Sequence, residues 1–253
     1  MKISIVVPAY NEEKYIRPCI ESLVNQDFLD YELIMSLNAC TDHTEDVVLD
    51  VAKKNNFNNL KIVKENRKGV SYARQSGAEN AQGEIIASCD ADTVYPRDWL
   101  RKIDNHFNFD LQEQQKTLEI LEAPEQIAVV YGSVRMNGGP AYLKFLARYI
   151  YTLFLHISRL FGKDNVTGMN FAYRKDLFIK AGGYDLNLKS AEDVFLGQKL
   201  KKYGKVVFDS KIFVYTSPRR FEKGFWKFLW FHIKNYWNVF IFKKQPSDFE
   251  DIR

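Results

Sequence analysis

The sequence predicts an α/β fold, in which helices flank a mainly parallel sheet. Short apolar runs rich in β-branched residues recur through the first half of the chain, and segments with helical spacing separate them. Strands and helices that alternate in this way are typical of βαβ units, whose strands run parallel. The length of 253 residues suits one such domain, or one domain with a small appendage.

The predicted elements of the first half alternate without interruption. Strands are expected at Lys2 to Val7, Tyr31 to Leu37, Leu60 to Val63 and Gly83 to Ser88, and helices at Tyr15 to Val24, Thr44 to Ala52 and Val70 to Ala81. In such sheets ligands bind beyond the carboxyl ends of the strands. The loops expected to carry function therefore begin at Pro8, Asn38, Asn66 and Asp90.

The second half is less regular. Phe109 to Gln126 is rich in Gln and Glu, has a weak helical pattern and is interpreted as a surface excursion. Strands are expected at Ala128 to Val134, Asn170 to Arg174, Lys205 to Asp209 and Lys211 to Tyr215, and helices at Ala141 to Phe161, Ala191 to Tyr203 and Phe225 to Phe242.

Composition narrows the class of protein. The net charge of +4 is mild, so no nucleic-acid partner is expected. Cys19, Cys40 and Cys89 form neither a disulfide framework nor a metal-binding spacing, which fits a reducing cytosol. The N-terminus lacks the apolar region and cleavage site of a signal peptide. We therefore expect a cytoplasmic protein.

Asp90-Ala91-Asp92 is the strongest chemical signal, because it directly follows an apolar strand. Two carboxylates separated by one residue can turn toward one hard cation, and Mg²⁺ and Mn²⁺ prefer such oxygen ligands. An isolated Asp-x-Asp is also common in solvated loops and helix caps. Its position at the end of a strand in a βα series favours a metal site.

Three groups of segments form a recognisable pattern. The first is Val6 to Glu13 (VVPAYNEE). The second is Asn66 to Gly69, Ala73-Arg74, Gly77, Ala81, Gly83-Glu84 and Asp90 to Asp92, and the third is Gly182-Gly183-Tyr184-Asp185 with Ala191-Glu192-Asp193. Together they resemble the opening, the central pattern and the acceptor-side pattern of family 2 glycosyltransferases, which have the GT-A fold. The resemblance covers roughly residues 2 to 220.

The resemblance implies roles for residues in these loops. Asp92 would ligate a Mg²⁺ or Mn²⁺ ion that bridges the donor's phosphates, and Asp90 would face the ribose or a metal-bound water. Arg74 and the loop at 66–69 would flank the nucleotide or donor sugar. The base and ribose would be held by Pro8, Tyr10, Glu12 and Asn38. Asn38 stands where the family commonly has an acidic loop, so the base could be uracil or guanine.

Glu192-Asp193 forms a second carboxylate pair. Sugar transfer needs a base to take the proton of the acceptor hydroxyl, and a single base opposite the leaving group gives inversion. The resemblance assigns this role to Asp193, with Glu192 contacting the acceptor. The alternative is a capped helix start, since Ser190 stands three residues before Asp193.

A basic turn, Ser217-Pro218-Arg219-Arg220, follows the last predicted strand. Guanidinium groups can grip a diphosphate through paired hydrogen bonds, so Arg219 and Arg220 are candidate donor-binding residues. A solvated basic turn is the alternative.

Both long helices of the second half are unusually aromatic. Basic residues interrupt them, so neither is a clean transmembrane span. A basic stripe beside a broad apolar face is typical of a helix at a membrane surface, although packing on the domain or in a dimer would also use it. We expect these helices on the acceptor side, and peripheral contact with the cytoplasmic face of a membrane.

The sequence thus predicts a GT-A-like domain over residues 1–220 and an aromatic helix and tail over 221–253. The expected function is metal-dependent, inverting transfer of a sugar from a nucleotide-diphosphate donor to an acceptor hydroxyl or phosphate, with a lipid-linked acceptor as one hypothesis. A catalytically silent nucleotide-sugar or membrane-binding module and a nucleotidyltransferase are the alternatives. Against the latter, no Gly-rich, Lys-bearing loop follows the first strand.

Overall fold

The computed structural model describes residues 2–117, 126–188 and 190–219, together with Trp230 and Lys234. In this part of the chain the strands are β1 (Ile3–Ala9), β2 (Tyr31–Asn38), β3 (Leu60–Glu65), β4 (Ile85–Ser88), β5 (Thr93–Val94), β6 (Ile127–Met136), β7 (Phe171–Arg174) and β8 (Lys205–Thr216). The helices are α1 (Ile16–Val24), α2 (Thr44–Lys54), α3 (Val70–Glu79), α4 (Trp99–Thr117), α5 (Ala141–Phe145), α6 (Thr152–Leu160), α7 (Lys175–Lys180) and α8 (Glu192–Leu200). A π-helical segment, Leu146–Tyr151, joins α5 to α6.

The strands form one sheet in the order β3-β2-β1-β4-β7-β6-β8-β5. Strands β3, β2, β1 and β4 run parallel, as do β6 and β8. Strand β7 is antiparallel to both of its neighbours, and β5 is antiparallel to β8. The predicted α/β fold with a mainly parallel sheet is confirmed: six of the eight described strands run in one direction, and β7 and β5 run opposite to them.

Alternate side chains of β1 enter two separate cores, as the two-residue period of a strand requires. Ile3, Ile5 and Val7 lie in the first core, which α1, α2 and α4 close, and Val6 lies in the second, which α3, α6, α7 and α8 close. The sheet thus has helices on both faces, and its strand ends stay open to carry loops.

The irregular second half contains the errors of element prediction. The segment Phe109 to Gln126 begins inside α4, in agreement with its weak helical pattern, but the first half of α4, from Trp99, was not predicted. Residues Lys205 to Tyr215 form one strand, with a register irregularity opposite Gly132, instead of two. A Cβ on Gly132 would overlap the carbonyl oxygen of Ile212, so the close approach of β6 and β8 requires glycine at this position. The predicted helix at Phe225 to Phe242 lies outside the described residues, apart from Trp230 and Lys234.

Candidate active site

The loops that follow β1 and β2 are joined to each other by hydrogen bonds. Asn11 Oδ1 accepts from the N–H of Thr41 at 2.8 Å, and Asp42 Oδ2 accepts from the N–H of Glu13 at 3.0 Å. Asn11 and Ala39 adopt left-handed backbone conformations, with φ of 53° and 49°. Such backbone strain in non-glycine residues persists where surrounding contacts enforce it, and it clusters at functional sites.

Asn38 fastens the loop after β3 onto β2. Its Oδ1 accepts from the N–H of Gly69 at 2.8 Å, and its Nδ2 donates to the carbonyl oxygens of Arg67 at 2.7 Å and Glu65 at 3.2 Å. Both amide hydrogens are therefore used within the protein, and the residue is buried. Asn38 was predicted to bind the base of the nucleotide. In the structure its side chain holds the loop after β3 in place.

The loop after β3 also meets the loop after β1. The ammonium group of Lys68 lies 4.4 Å from the centroid of the Tyr10 ring, a cation–π distance. Tyr10 and Pro8 are half-buried at the carboxyl end of β1. Pro8 and Tyr10, both predicted to bind the donor, thus lie at the edge of the sheet where the loops converge.

Arg74 occupies the centre of the site and is 3% exposed. Its Nη2 lies 2.6 Å from Asp90 Oδ1, and its Nε lies 3.0 Å from Glu192 Oε1. Its Nη1 donates to Ser88 Oγ and to the carbonyl oxygens of Cys89 and Gly168. Burial alone would lower the pKa of Arg74, but Asp90 and Glu192 more than offset this and raise it. We call Arg74, Asp90 and Glu192 the inner cluster.

Arg219 forms a second ion-pair group at the outer side of Asp92. Its Nη1 and Nη2 donate to the two carboxylate oxygens of Glu12 at 2.8 and 2.9 Å, and its Nε lies 2.8 Å from Asp92 Oδ2. The Glu12 and Asp92 side chains are 1% and 5% exposed, whereas that of Arg219 is 10% exposed. The two carboxylates raise the pKa of Arg219, against the opposing effect of burial. We call Arg219, Glu12 and Asp92 the outer cluster.

Asp193 stands in the first turn of α8, after Ala191 in a left-handed conformation with φ of 56°. Its Oδ1 accepts from the N–H of Val194 at 2.8 Å, and its Oδ2 accepts from the N–H of Gly168. Burial and the neighbouring Glu192 raise the pKa of Asp193 to about 7, in spite of the nearby Arg74. A carboxyl group with this property is suited to general base catalysis near neutral pH.

The sheet edge therefore brings together two carboxylates after β4, a glutamate after β1, a basic residue after β8 and a carboxylate of raised pKa. Comparison with known proteins identifies the family of the chain. The model of glycosyl transferase family 2 matches residues 4–182. The chain belongs to glycosyl transferase family 2.

Two curated relatives of this family 2 glycosyltransferase carry names that describe lipid-linked substrates. One is the dolichyl N-acetyl-alpha-D-glucosaminyl phosphate 3-beta-D-2,3-diacetamido-2,3-dideoxy-beta-D-glucuronosyltransferase of Methanococcus voltae, 27% identical over 90% of this chain and 76% of that protein. The other is the glucosyl-dolichyl phosphate glucuronosyltransferase of Haloferax volcanii, 28% identical over 74% of this chain. This chain spans 57% of the Haloferax protein.

Solved structures confirm the GT-A-like fold. Staphylococcus aureus TarS 1-349 superposes with a TM-score of 0.61 at 24% identity, over 88% of this chain and 63% of that one. The mannosyltransferase PcManGT of Pyrobaculum calidifontis, in complex with GDP-Man and Mn²⁺, also gives 0.61, at 20% identity over 85% of this chain and 56% of that one. The predicted family, fold and enzyme class are thus confirmed.

The donor set around Asp92 is compatible with a divalent cation that draws further ligands from substrate. A guanidinium group already lies against Asp92, so the carboxylate faces a position that suits positive charge. No group of three or more His, Cys, Asp or Glu side chains that could hold a metal occurs among the described residues. Asp90, the other predicted ligand, pairs with Arg74. A cation at this edge would be held by Asp92, and donor phosphates and water would complete its coordination shell, as Mg²⁺ commonly requires.

Gly168 is a site residue that the sequence analysis missed. A Cβ at this position would lie 2.5 Å from Arg74 Nη2 and 3.1 Å from Asp193 Oδ2, so only glycine lets the two side chains approach the chain here. Its N–H and C=O groups contact Asp193 and Arg74 respectively. A glycine two residues before the predicted strand at Asn170 was the available signal.

The acceptor-side loop is held against α3. Gly182 and Gly183 both have positive φ, of 76° and 68°, and a Cβ on Gly183 would clash with Gln75. Gln75 Oε1 accepts from the N–H of Tyr184 at 2.9 Å, and Ser71 Oγ donates to the Leu188 carbonyl oxygen at 2.6 Å. The Gly-Gly motif therefore positions the chain that leads to Glu192 and Asp193. The last predicted site residue, Arg220, lies outside the described residues.

The helical stretch from α5 to α6 is apolar on two sides. Its inner side is buried through residues such as Leu143, Ala147 and Leu155. Its outer side, which we call the exposed apolar face, consists of Tyr142, Phe145, Tyr149, Ile150, Leu153, Ile157, Leu160 and Phe161, each between 45% and 85% exposed. Within the part of the chain that the structure describes, no helix combines the length and the apolar character needed to cross a bilayer.

Proposed function

We propose that this family 2 glycosyltransferase transfers a sugar from a nucleoside diphosphate donor to a hydroxyl group of a lipid-linked acceptor, with inversion at the anomeric carbon. The observation that carries the proposal is Asp193, a carboxyl of raised pKa beside the inner cluster. The names of the relatives from Methanococcus voltae and Haloferax volcanii support a lipid-linked acceptor.

The reaction requires one displacement. The acceptor hydroxyl oxygen forms a bond to the anomeric carbon while the bond from that carbon to the diphosphate oxygen breaks. The Asp193 carboxylate takes the hydroxyl proton, and the nucleoside diphosphate leaves with the bonding electron pair. Because attack and departure occur on opposite faces of the sugar, one base gives inversion.

The outer cluster would receive the diphosphate. Asp92 would hold Mg²⁺ or Mn²⁺, which neutralises the charge that develops on the leaving group. Arg219 would turn from Asp92 toward the phosphates, because a guanidinium group binds phosphate as well as carboxylate through paired hydrogen bonds. Pro8, Tyr10 and Glu12 would contact the nucleoside.

Arg74 and Asn38 would act as positioning residues. The N–H groups of Arg74 donate to Asp90, Glu192 and neighbouring oxygens of the protein. Asn38 uses both amide hydrogens to hold the loop after β3. Asp90 would orient Arg74 and contact the ribose from its partly exposed side. Glu192 would likewise act through Arg74, with its charge raising the pKa of Asp193.

The exposed apolar face supports contact with a membrane surface that carries the acceptor. Lys144, Arg148 and Arg159 lie on the same helical stretch, so basic groups accompany the apolar ones. A helix of this kind binds at the headgroup boundary through apolar area and attraction to anionic lipids.

Release of free nucleoside diphosphate tests the reaction class. The chain is incubated with UDP-linked and GDP-linked sugars, Mn²⁺ and a lipid-linked sugar acceptor. We expect nucleoside diphosphate and glycosylated lipid in equal amounts. Release of pyrophosphate would instead indicate a nucleotidyltransferase, and donor binding without any release would indicate a silent binding module.

Co-sedimentation with liposomes tests the membrane contact. The chain should sediment with anionic vesicles at low salt, and Phe145→Ser combined with Leu153→Ser should reduce this. Leu29→Ser is the matched control, because Leu29 is 88% exposed but lies outside the exposed apolar face. A folded chain that stays in the supernatant would contradict the membrane contact.

A further inference from the structure

A cleft of about 150 Å³ lies between the end of β6, the end of β8 and the start of the α5–α6 stretch. We call it the basic cleft, because three of its five lining residues are cationic: Arg135, Met136, Lys144, Arg148 and Tyr215. Sites that enclose a whole small molecule usually measure about 300–1,000 Å³. The size of the basic cleft therefore suits one charged group of a larger ligand.

Two of the three cations of the basic cleft lie over aromatic rings. The guanidinium carbon of Arg135 lies 3.3 Å from the centroid of Phe213, and that of Arg148 lies 5.3 Å from the centroid of Tyr149. Among the described residues no carboxylate lies within 4 Å of the charged nitrogens of Arg135, Lys144 or Arg148. An arginine that stacks on a ring keeps its edge N–H groups for a ligand, and three convergent cations match a phosphate.

The basic cleft adjoins the outer cluster. Tyr215 pairs with Arg135 across β6 and β8, and it precedes Ser217 by two residues. The N–H of Ser217 donates to the carbonyl oxygen of Asp92 at 3.2 Å. Two residues of extended chain span about 7 Å and the hydrogen bond adds 3.2 Å, so the cleft lies on the order of 10 Å from the Asp92 backbone along this path.

The exposed apolar face begins at the rim of the basic cleft. Tyr142, Phe145 and Tyr149 flank the cleft residues Lys144 and Arg148 along the helix, and each of the three is more than half exposed. A phosphate in the cleft would therefore have the metal site on one side and an apolar surface on the other.

We propose that the basic cleft binds the phosphate of the lipid-linked acceptor, with the acceptor sugar directed to Asp92 and Asp193 and the lipid chain along the exposed apolar face. This inference rests on the proposed function and names the part of the acceptor that the protein recognises. It commits to the acceptor's own phosphate and not to the headgroups of the surrounding bilayer, because the three cations line one small cleft beside the outer cluster.

Vesicle binding with three compositions tests the proposal. Phosphatidylcholine vesicles are prepared alone, with a polyprenyl phosphate, or with phosphatidylglycerol at the same mole fraction. The intact chain is compared with Arg135→Gln, which alters the cleft without altering the exposed apolar face. Arg159→Gln is the matched control, since Arg159 lies on α6 outside the cleft.

The intact chain should bind polyprenyl phosphate vesicles more tightly than phosphatidylglycerol vesicles. Arg135→Gln should weaken polyprenyl phosphate binding by roughly tenfold or more, the loss expected for one charge-assisted contact, and should abolish the preference. Arg159→Gln should keep it. Equal binding of both vesicle types by the intact chain, or an unchanged preference in Arg135→Gln, would overturn the proposal. Mn²⁺-dependent nucleotide binding by the intact chain tests the proposed function separately, so the two can fail independently.

Discussion

The inner and outer clusters contain the same groups, an arginine between two carboxylates, but in different settings. Arg74 is 3% exposed and donates to Asp90, Glu192, Ser88 and two backbone carbonyl groups from both halves of the chain. Arg219 is 10% exposed, follows the last strand and contacts Glu12 and Asp92.

This difference indicates that the inner cluster has a structural role, whereas the outer cluster can exchange its ion-pair partners. A buried arginine that satisfies several carboxylates and carbonyl groups cannot move without leaving them uncompensated. Glu12 and Asp92 are also buried, at 1% and 5% exposed, so Arg219 can exchange them for phosphate only when an incoming cation replaces its charge beside Asp92. We therefore infer that the inner cluster holds the catalytic geometry and that the outer cluster changes partners when donor and metal bind.

Removal of the inner arginine should have the largest effect. Arg74→Gln leaves Asp90, Glu192 and Asp193 without their central cation, and breaking such buried pairs costs about 3–5 kcal/mol. Urea unfolding should show a loss of this size in the free energy of unfolding. Arg101→Gln removes an exposed pair with Asp27 and should cost about 1 kcal/mol or less. Similar losses in both variants would contradict the architectural role of Arg74.

Asp193→Asn should abolish most of the catalytic rate without affecting donor binding. The asparagine keeps the shape of the side chain but cannot take a proton, so turnover should fall by about 10²-fold or more. Single-turnover kinetics would measure the rate, and calorimetry with Mn²⁺ and donor would measure binding. If turnover survives when Glu192→Gln and Asp193→Asn are combined, the base lies elsewhere.

The pH profile should report the raised pKa of Asp193. The active form of the base is the deprotonated carboxylate, and burial and Glu192 raise its pKa to about 7. The rate should therefore be nearly constant above this value and fall about tenfold for each pH unit below it. An acid limb that begins only near pH 4, the ordinary range of an aspartate, would contradict the role of Asp193.

The outer arginine should have a smaller effect that depends on the ligand. Arg219→Gln removes a competitor for Asp92, so affinity for Mn²⁺ alone should stay the same or rise. Affinity for the nucleotide with Mn²⁺ should fall several-fold, because one charge-assisted contact to the phosphates is lost. Calorimetry measures both. A loss of Mn²⁺ affinity together with unchanged nucleotide affinity would contradict the exchange of partners.

The sequence predicts the part of the site that β1 to β4 carry better than the part contributed by residues after β4. Strand and helix periods in the first half were sufficient to locate β1 to β4, and with them the positions of Glu12, Asn38 and Asp90 at or after the strand ends. The ion pair of Glu12 with Arg219 joins residues 207 positions apart, which no local pattern can reveal. The insertion of β7 between β4 and β6 is also non-local, and it places Gly168 beside Arg74.

The roles predicted for site residues from motifs were also less specific than the hydrogen bonds that these residues make in the structure. Arg74 and Asn38 were expected to meet the donor, but both are buried and their hydrogen-bonding groups are used within the protein. A motif records that a residue type is needed at a position. It does not distinguish a residue that touches substrate from one that holds its neighbours in place.

Nucleotide binding by the outer cluster is the most direct test of the account. Titration calorimetry with UDP and GDP, each with Mn²⁺ and with EDTA, would compare the intact chain with Asp92→Asn. Asp98→Asn is the control, since its carboxylate pairs with Lys102 one helical turn away. We predict that Mn²⁺ strengthens binding of at least one nucleotide to the intact chain and to Asp98→Asn, and that this gain is lost in Asp92→Asn. An undiminished gain in Asp92→Asn would contradict the assignment of the outer cluster as the donor and metal site.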